Sequence, residues 1–70
     1  MIDDIELTFG EKIRVIRNAR GLTQSQLAEK IGIMTLQISW YETGKMHPNI
    51  NTLEWICKAL NVKASDLLGF

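Results

Sequence analysis

Seventy residues, 46% of them hydrophobic and 23% charged, describe one small soluble globular domain rather than a disordered chain. Eight Lys and Arg balance eight Asp and Glu, so the basic excess usual in phosphate-binding domains is missing from the total. No apolar run approaches the ~18–20 residues of a membrane span, and a lone cysteine, Cys57, excludes an internal disulfide and fits a reducing cytoplasm.

Charge is unevenly placed. Asp3, Asp4 and Glu6 make the N-terminus acidic where a secretory leader would be basic. Residues 7–70 then hold eight basic and five acidic side chains, a net of +3. Residues 1–7 read as an acidic N-terminal segment and residues 8–70 as the folded domain. Lys12, Arg14, Arg17 and Arg20 crowd into one stretch, although such a run is more often a solvated helix face than a binding patch.

Gly10, Gly21, Gly32 and Gly44 recur at near-regular steps, leaving room for helices of two to three turns that close on left-handed backbone. The pairs Thr8/Glu11 and Thr23/Gln26 have the spacing of capping boxes. They predict a first helix from about Phe9 to Arg20, burying Phe9, Ile13 and Ile16. A second, from about Gln24 to Ile31, buries Leu27, Ala28 and Ile31, and a third, from about Thr35 to Glu42, turns Ile38 and Tyr41 inward. Pro48 then breaks the chain in a loop. A fourth helix spans about Ile50 to Leu60, capped by Asn49 or Asn51, with Leu53, Ile56, Cys57 and Leu60 on one stripe. A short fifth, about Ala64 to Leu68, brings Leu67 and Leu68 to the core. Alternating strand patterns and Asn-Gly turns are absent, so the expected fold is all-α, a compact five-helix domain.

The second and third helices, joined at Gly32, have the spacing of a helix-turn-helix, whose second helix enters the major groove. Helix pairs occur in any small bundle, so this alone is a weak sign. More specific is the run Gly21-Leu-Thr-Gln-Ser-Gln-Leu-Ala-Glu-Lys-Ile-Gly32, followed by Ile38-Ser, Tyr41-Glu-Thr-Gly-Lys45, Pro48 and Thr52-Leu53. Over about residues 8–68 it resembles the Xre family of lambda-repressor-like regulators. That resemblance implies five helices and a dimeric regulator of transcription, a repressor or an activator, that binds double-stranded DNA.

The same resemblance aligns Gln24 with a residue that bonds a phosphate and braces the recognition helix; the plain alternative is a capping partner. Thr43, Lys45 and the backbone after Gly44 align with a second phosphate clamp, joined by His47 when protonated. Thr23, at the start of the second helix, and Arg14, on the first, complete the expected phosphate set. Arg17 and Glu42 align with a charge pair linking the first and third helices, the alternative being two separate surface charges.

On the reading face Thr35, Leu36, Ser39 and Trp40 are expected to point outward, with Gln37 at the edge. Gln37 can bond adenine N6 and N7, and Leu36 can pack on a thymine methyl. Met34 stands where the family commonly has a serine cap, and Leu36 and Trp40 form an apolar pair that would equally suit a protein partner. Trp55 projects away from the buried stripe of the fourth helix and, with Phe70, is the candidate dimer surface; alternatively it folds onto the fifth helix of its own chain.

One histidine and one cysteine exclude most metal sets and nucleophile dyads. No enzyme, metal, cofactor or small-molecule ligand is expected. The expected function is a cytoplasmic, sequence-specific DNA-binding regulator, most simply a repressor, that binds an inverted repeat as a homodimer. The rival is an interaction or antitoxin-type module using the same fold.

Overall fold

The computed structural model describes residues 7–68, and they form five helices. These are α1 (Phe9–Ala19), α2 (Gln24–Ile31), α3 (Thr35–Thr43), α4 (Ile50–Leu60) and α5 (Ala64–Leu68). Expected and observed ends differ by one residue at the close of α1 and of α3. Among the described residues there is no strand, and no helix is long and apolar enough to cross a membrane.

Local chemistry accounts for the helix starts. Thr8 accepts from the Glu11 N–H while Glu11 accepts from the Thr8 N–H, and Thr23 with Gln26 repeats the arrangement at α2. Each box satisfies two of the donors a helix start leaves unpaired. The two bonds from Thr8, the backbone one first, hold the Glu11 carboxyl below its ordinary range, and Arg14 adds to the effect. Asn49, not Asn51, caps α4 through the Thr52 N–H.

Closure differs in part from the regular glycine pattern. Gly21, Gly32 and Gly44 do adopt left-handed backbone, but α4 closes on Asn61, whose φ is 58°. Gly10 closes nothing. It lies buried in the first turn of α1, where a Cβ would fall 2.5 Å from the Glu42 carbonyl oxygen. The missing side chain lets α1 rest directly on the backbone of α3.

Ile13, Leu27, Ala28, Ile38, Tyr41, Ile56, Cys57, Leu60 and Leu67 form the buried cluster, one or more from every helix. Burial pushes the Cys57 thiol upward, as expected of a cysteine acting as a small hydrophobe. Phe9, Ile16, Ile31 and Leu53 pack at its margin rather than inside it. Leu68 departs from expectation: it is exposed, because a helix of five residues has only one face to bury and Leu67 occupies it. Helix α3 packs on both α1 and α2, α4 packs on α2, and α5 lies against α1 and α4. Thus α3 rests on two helices and keeps an outer face free.

Candidate nucleic-acid interface

Arg17 and Glu42 are both buried and meet in a two-pronged contact, Nε to Oε2 at 2.6 Å and Nη2 to Oε1 at 3.1 Å. The remaining guanidinium nitrogen donates to the Leu22 carbonyl at 2.7 Å and to Asn18 Oδ1 at 3.1 Å. Gln24 Nε2 donates to Glu42 Oε1 at 3.0 Å. Arg17 and Glu42 together therefore tie α1, the loop before α2, the start of α2 and the end of α3. The fork geometry of arginine suits this role, and each added bond offsets part of the cost of burying the charges.

Gln24 is thus a brace; the second N–H of its amide is left to donate outward, while its side-chain oxygen can only accept. Thr23 satisfies the Gln26 N–H, so the N–H groups of Gln24 and Ser25 open the helix toward any outside acceptor. Lys45 and Arg14 are exposed. Thr43 is exposed too, but its hydroxyl donates to the Ser39 carbonyl at 2.9 Å and must rotate before it can serve a phosphate. His47 is exposed and lies tilted against Phe9, ring centroids 6.4 Å apart, which places it beside the start of α1.

The four-residue basic run of α1 does not form one patch. Arg17 is buried in the network, and Arg20 Nε donates to the Leu60 carbonyl at 2.8 Å, joining the ends of α1 and α4. Arg14 and Arg20 are the exposed cations of the stretch, neither with an ion-pair partner among the described residues, and Lys12 is half-buried.

On α3, Thr35 and Leu36 are exposed, Leu36 by 51%. Gln37, Ser39 and Trp40 are half-buried. Trp40 therefore departs from expectation: it does not stand out beside Leu36 as an open apolar pair. Its main chain takes part in closing the helix at Gly44, the Trp40 carbonyl accepting from the Lys45 N–H at 2.9 Å and the Met46 N–H at 3.3 Å. Met34 starts α3 without a side-chain cap, having no oxygen to offer. Instead Gln37 Oε1 accepts from the Met34 N–H at 3.1 Å, leaving the Gln37 amide to present mainly its N–H donors.

Sequence reasoning passed over Ser25. Its hydroxyl lies 3.3 Å from that of Thr35, joining the first turns of α2 and α3. The signal was its place, one residue after Gln24 in a helix start. On α4, Trp55 is 47% exposed and lines a shallow groove with Lys30, Ile31, Lys58 and Ala59. The groove sets it beside Lys30 and Ile31 at the end of α2. Phe70 lies outside the described residues.

Two short helices joined by a left-handed glycine, the second locked by a buried charge network and exposing its first turn, define a helix-turn-helix module. Residues 13–67 match the Helix-turn-helix family model HTH_3, and the chain belongs to that family. It is 39% identical over 63 residues to the HTH-type transcriptional activator BcrR of Enterococcus faecalis, covering 90% of this chain but only 31% of that protein. It is 37% identical over 71 residues to the control protein C.BamHI of Bacillus amyloliquefaciens, covering all of this chain and 88% of that one. Among solved structures, the P22 c2 repressor in complex with a synthetic operator aligns with a TM-score of 0.84 at 29% identity, covering 89% of this chain and 94% of the repressor.

Proposed function

We propose that this chain is a sequence-specific double-stranded DNA-binding regulator of transcription that places α3 in the major groove and works as a homodimer on an inverted repeat. The observation that carries this reading is the Gln24–Glu42–Arg17 network, which fixes the start of α2 and the body of α3 as one rigid unit. A rigid unit of this kind presents base-reading and phosphate-binding groups in a preset register. The alignment with a repressor seen on its operator supports the docking.

Thr35, Leu36, Gln37, Ser39 and Trp40 form the reading face. Gln24, Thr23, Lys45, Arg14, Thr43 and His47 surround it as the phosphate-facing set, with Thr43 and His47 requiring rotation. One short helix reads about four or five base pairs, and a two-fold axis doubles the site. The module binds rather than catalyses, needs no cofactor, and acts where DNA lies, in the cytoplasm; a site overlapping a promoter makes it a repressor.

An interaction module without DNA binding rests on zero net charge and an open Leu36–Trp40 pair, and the second of these fails because Trp40 is half-buried. In-vitro selection from random duplex DNA tests the reading. A two-fold symmetric motif, bound less tightly by Lys45→Ala, is expected. Failure to enrich any motif at physiological salt overturns it.

A further inference from the structure

The Ser25 and Thr35 hydroxyls, 3.3 Å apart, bridge the phosphate-facing start of α2 and the base-facing start of α3. From this contact we infer that Ser25 is a positioning residue that fixes the hydrogen-bond polarity of Thr35, making Thr35 an acceptor that selects an amino base, adenine or cytosine, over a keto base. The inference rests on the reading of α3 as the major-groove helix.

The polarity follows from counting protons. Each hydroxyl has one proton to donate and lone pairs to accept with. A phosphate oxygen can only accept. A phosphate held at the open N–H groups of Gln24 and Ser25 therefore takes the Ser25 proton. The Ser25 oxygen, next to Thr35, then accepts the Thr35 proton. Thr35 is left with lone pairs alone to turn toward the groove. In the major groove, adenine N6 and cytosine N4 are donors, whereas guanine O6 and thymine O4 are acceptors. An acceptor at Thr35 favours the first two and repels the second two.

Both residues are exposed, so neither hydroxyl is fixed by core packing. At 3.3 Å the contact is longer than the usual hydroxyl spacing of about 2.7–2.8 Å, and a small approach on binding closes it. Bonds aligned in one direction polarise one another, so the phosphate strengthens the acceptor face of Thr35. A residue that touches only the backbone would in this way influence which base is read.

The test is in-vitro selection with the full chain, followed by affinity measurements on the selected site, for wild type, Ser25→Ala, Thr35→Val and Thr35→Ser. Wild type is expected to enrich adenine or cytosine at one position of each half-site, against guanine or thymine by about tenfold. Thr35→Val, which keeps shape and loses the hydroxyl, is expected to abolish that preference, and Thr35→Ser to retain it. Ser25→Ala is expected to relax the same position, because the freed Thr35 proton can turn to a keto base, while helix content and melting temperature stay at wild type. A preference relaxed by Ser25→Ala at no position, or a wild-type preference for keto bases under Thr35, overturns the relay. The docking itself is judged separately: if Gln37→Ala and Lys45→Ala also leave binding unchanged, α3 is not the reader and both readings fall. If those two weaken binding and Ser25→Ala is silent in base preference, only the relay falls.

Discussion

Gly10 and Glu42 pack backbone to backbone: a Cβ on Gly10 would lie 2.5 Å from the Glu42 carbonyl oxygen and closer still to that of Tyr41. The contact sets how far α1 stands from the end of α3, and through Glu42 it bears on the charge network. Helix propensity and packing make opposite demands here. Alanine favours a helix over glycine by ~1 kcal/mol, but carbonyl oxygens in a helix cannot step aside as a flexible side chain can. Packing is expected to prevail. Gly10→Ala should destabilise the fold by roughly 1–3 kcal/mol, read from urea unfolding. A gain in stability would show that α1 shifts freely over α3.

Breaking the Arg17–Glu42 pair from one side strands a charge that is already out of water. Arg17→Met is expected to cost about 3–5 kcal/mol, a large part of the stability of a domain this small. Glu42→Gln should cost less, since it keeps shape and can still accept from Arg17. The double variant Arg17→Met, Glu42→Leu should recover part of the loss only, because the Leu22 carbonyl and Gln24 amide lose their partners. Equilibrium unfolding of the three variants gives the coupling directly.

Which parts of this arrangement were legible in the chain depends on how local their causes are. Capping boxes at Thr8 and Thr23 act within three residues, so the starts of α1 and α2 could be read from spacing alone. The stripes of Ile13, Leu27, Ile56 and Leu60 follow from helical period. Gly10 was misread as punctuation because its reason lies on another helix, more than thirty residues away in sequence. Arg20 reads as one of four crowded cations on a solvated helix face, and its bond to the Leu60 carbonyl spans too much sequence to be seen there. Helix α3 carries apolar residues on every side, so periodicity could not say that Trp40 would be folded in while Leu36 stayed out. Ser25 and Thr35 are ten residues apart, and only the turn at Gly32 brings them together.

Salt dependence tests which cations face DNA. With Lys45 and Arg14 as the ionic contacts, log affinity should fall with log salt at a slope of roughly −2 to −5 per dimer, at ~0.9 per neutralised phosphate. Lys45→Ala should make the slope shallower by about 2 per dimer, one contact from each protomer. Arg20→Ala should leave the slope alone, because that guanidinium is engaged with the Leu60 carbonyl. An equal change from both substitutions would mean that Arg20 swings out to DNA.

Acid should weaken the first helix in a defined way. The Glu11 carboxyl is held below its ordinary value of 4.5 by its bonds from Thr8. A carboxyl whose value is lower folded than unfolded contributes stability that is fully present above the unfolded value, and it is lost as pH falls through the folded one. Thermal melts taken downward from pH 6 should therefore show wild type losing stability faster than Glu11→Gln, which keeps the capping geometry but cannot titrate. Parallel pH profiles would assign the acid limb to other carboxylates.

Trp55 is the residue expected to join two copies. It is 47% exposed on α4, and the groove beside it is lined by Ile31 and Ala59. A large aromatic half out of water gains most from a partner surface, and tryptophan is prominent among interface residues that dominate affinity. Lys30 and Lys58 at the rim set a limit, since bringing like charges together across a two-fold axis opposes association unless an acidic group meets them. Self-association is therefore expected to be weak in free protein, stronger at higher salt, and completed on DNA, where the two half-sites hold the copies side by side. Sedimentation equilibrium of wild type and Trp55→Ala, with and without a palindromic selected site, separates the cases. Trp55→Ala should keep its melting temperature within a few degrees, because the side chain is not part of the buried cluster, yet lose dimer both free and bound. If two Trp55→Ala protomers still load onto the site as cooperatively as wild type, the two-fold contact is made elsewhere on the surface.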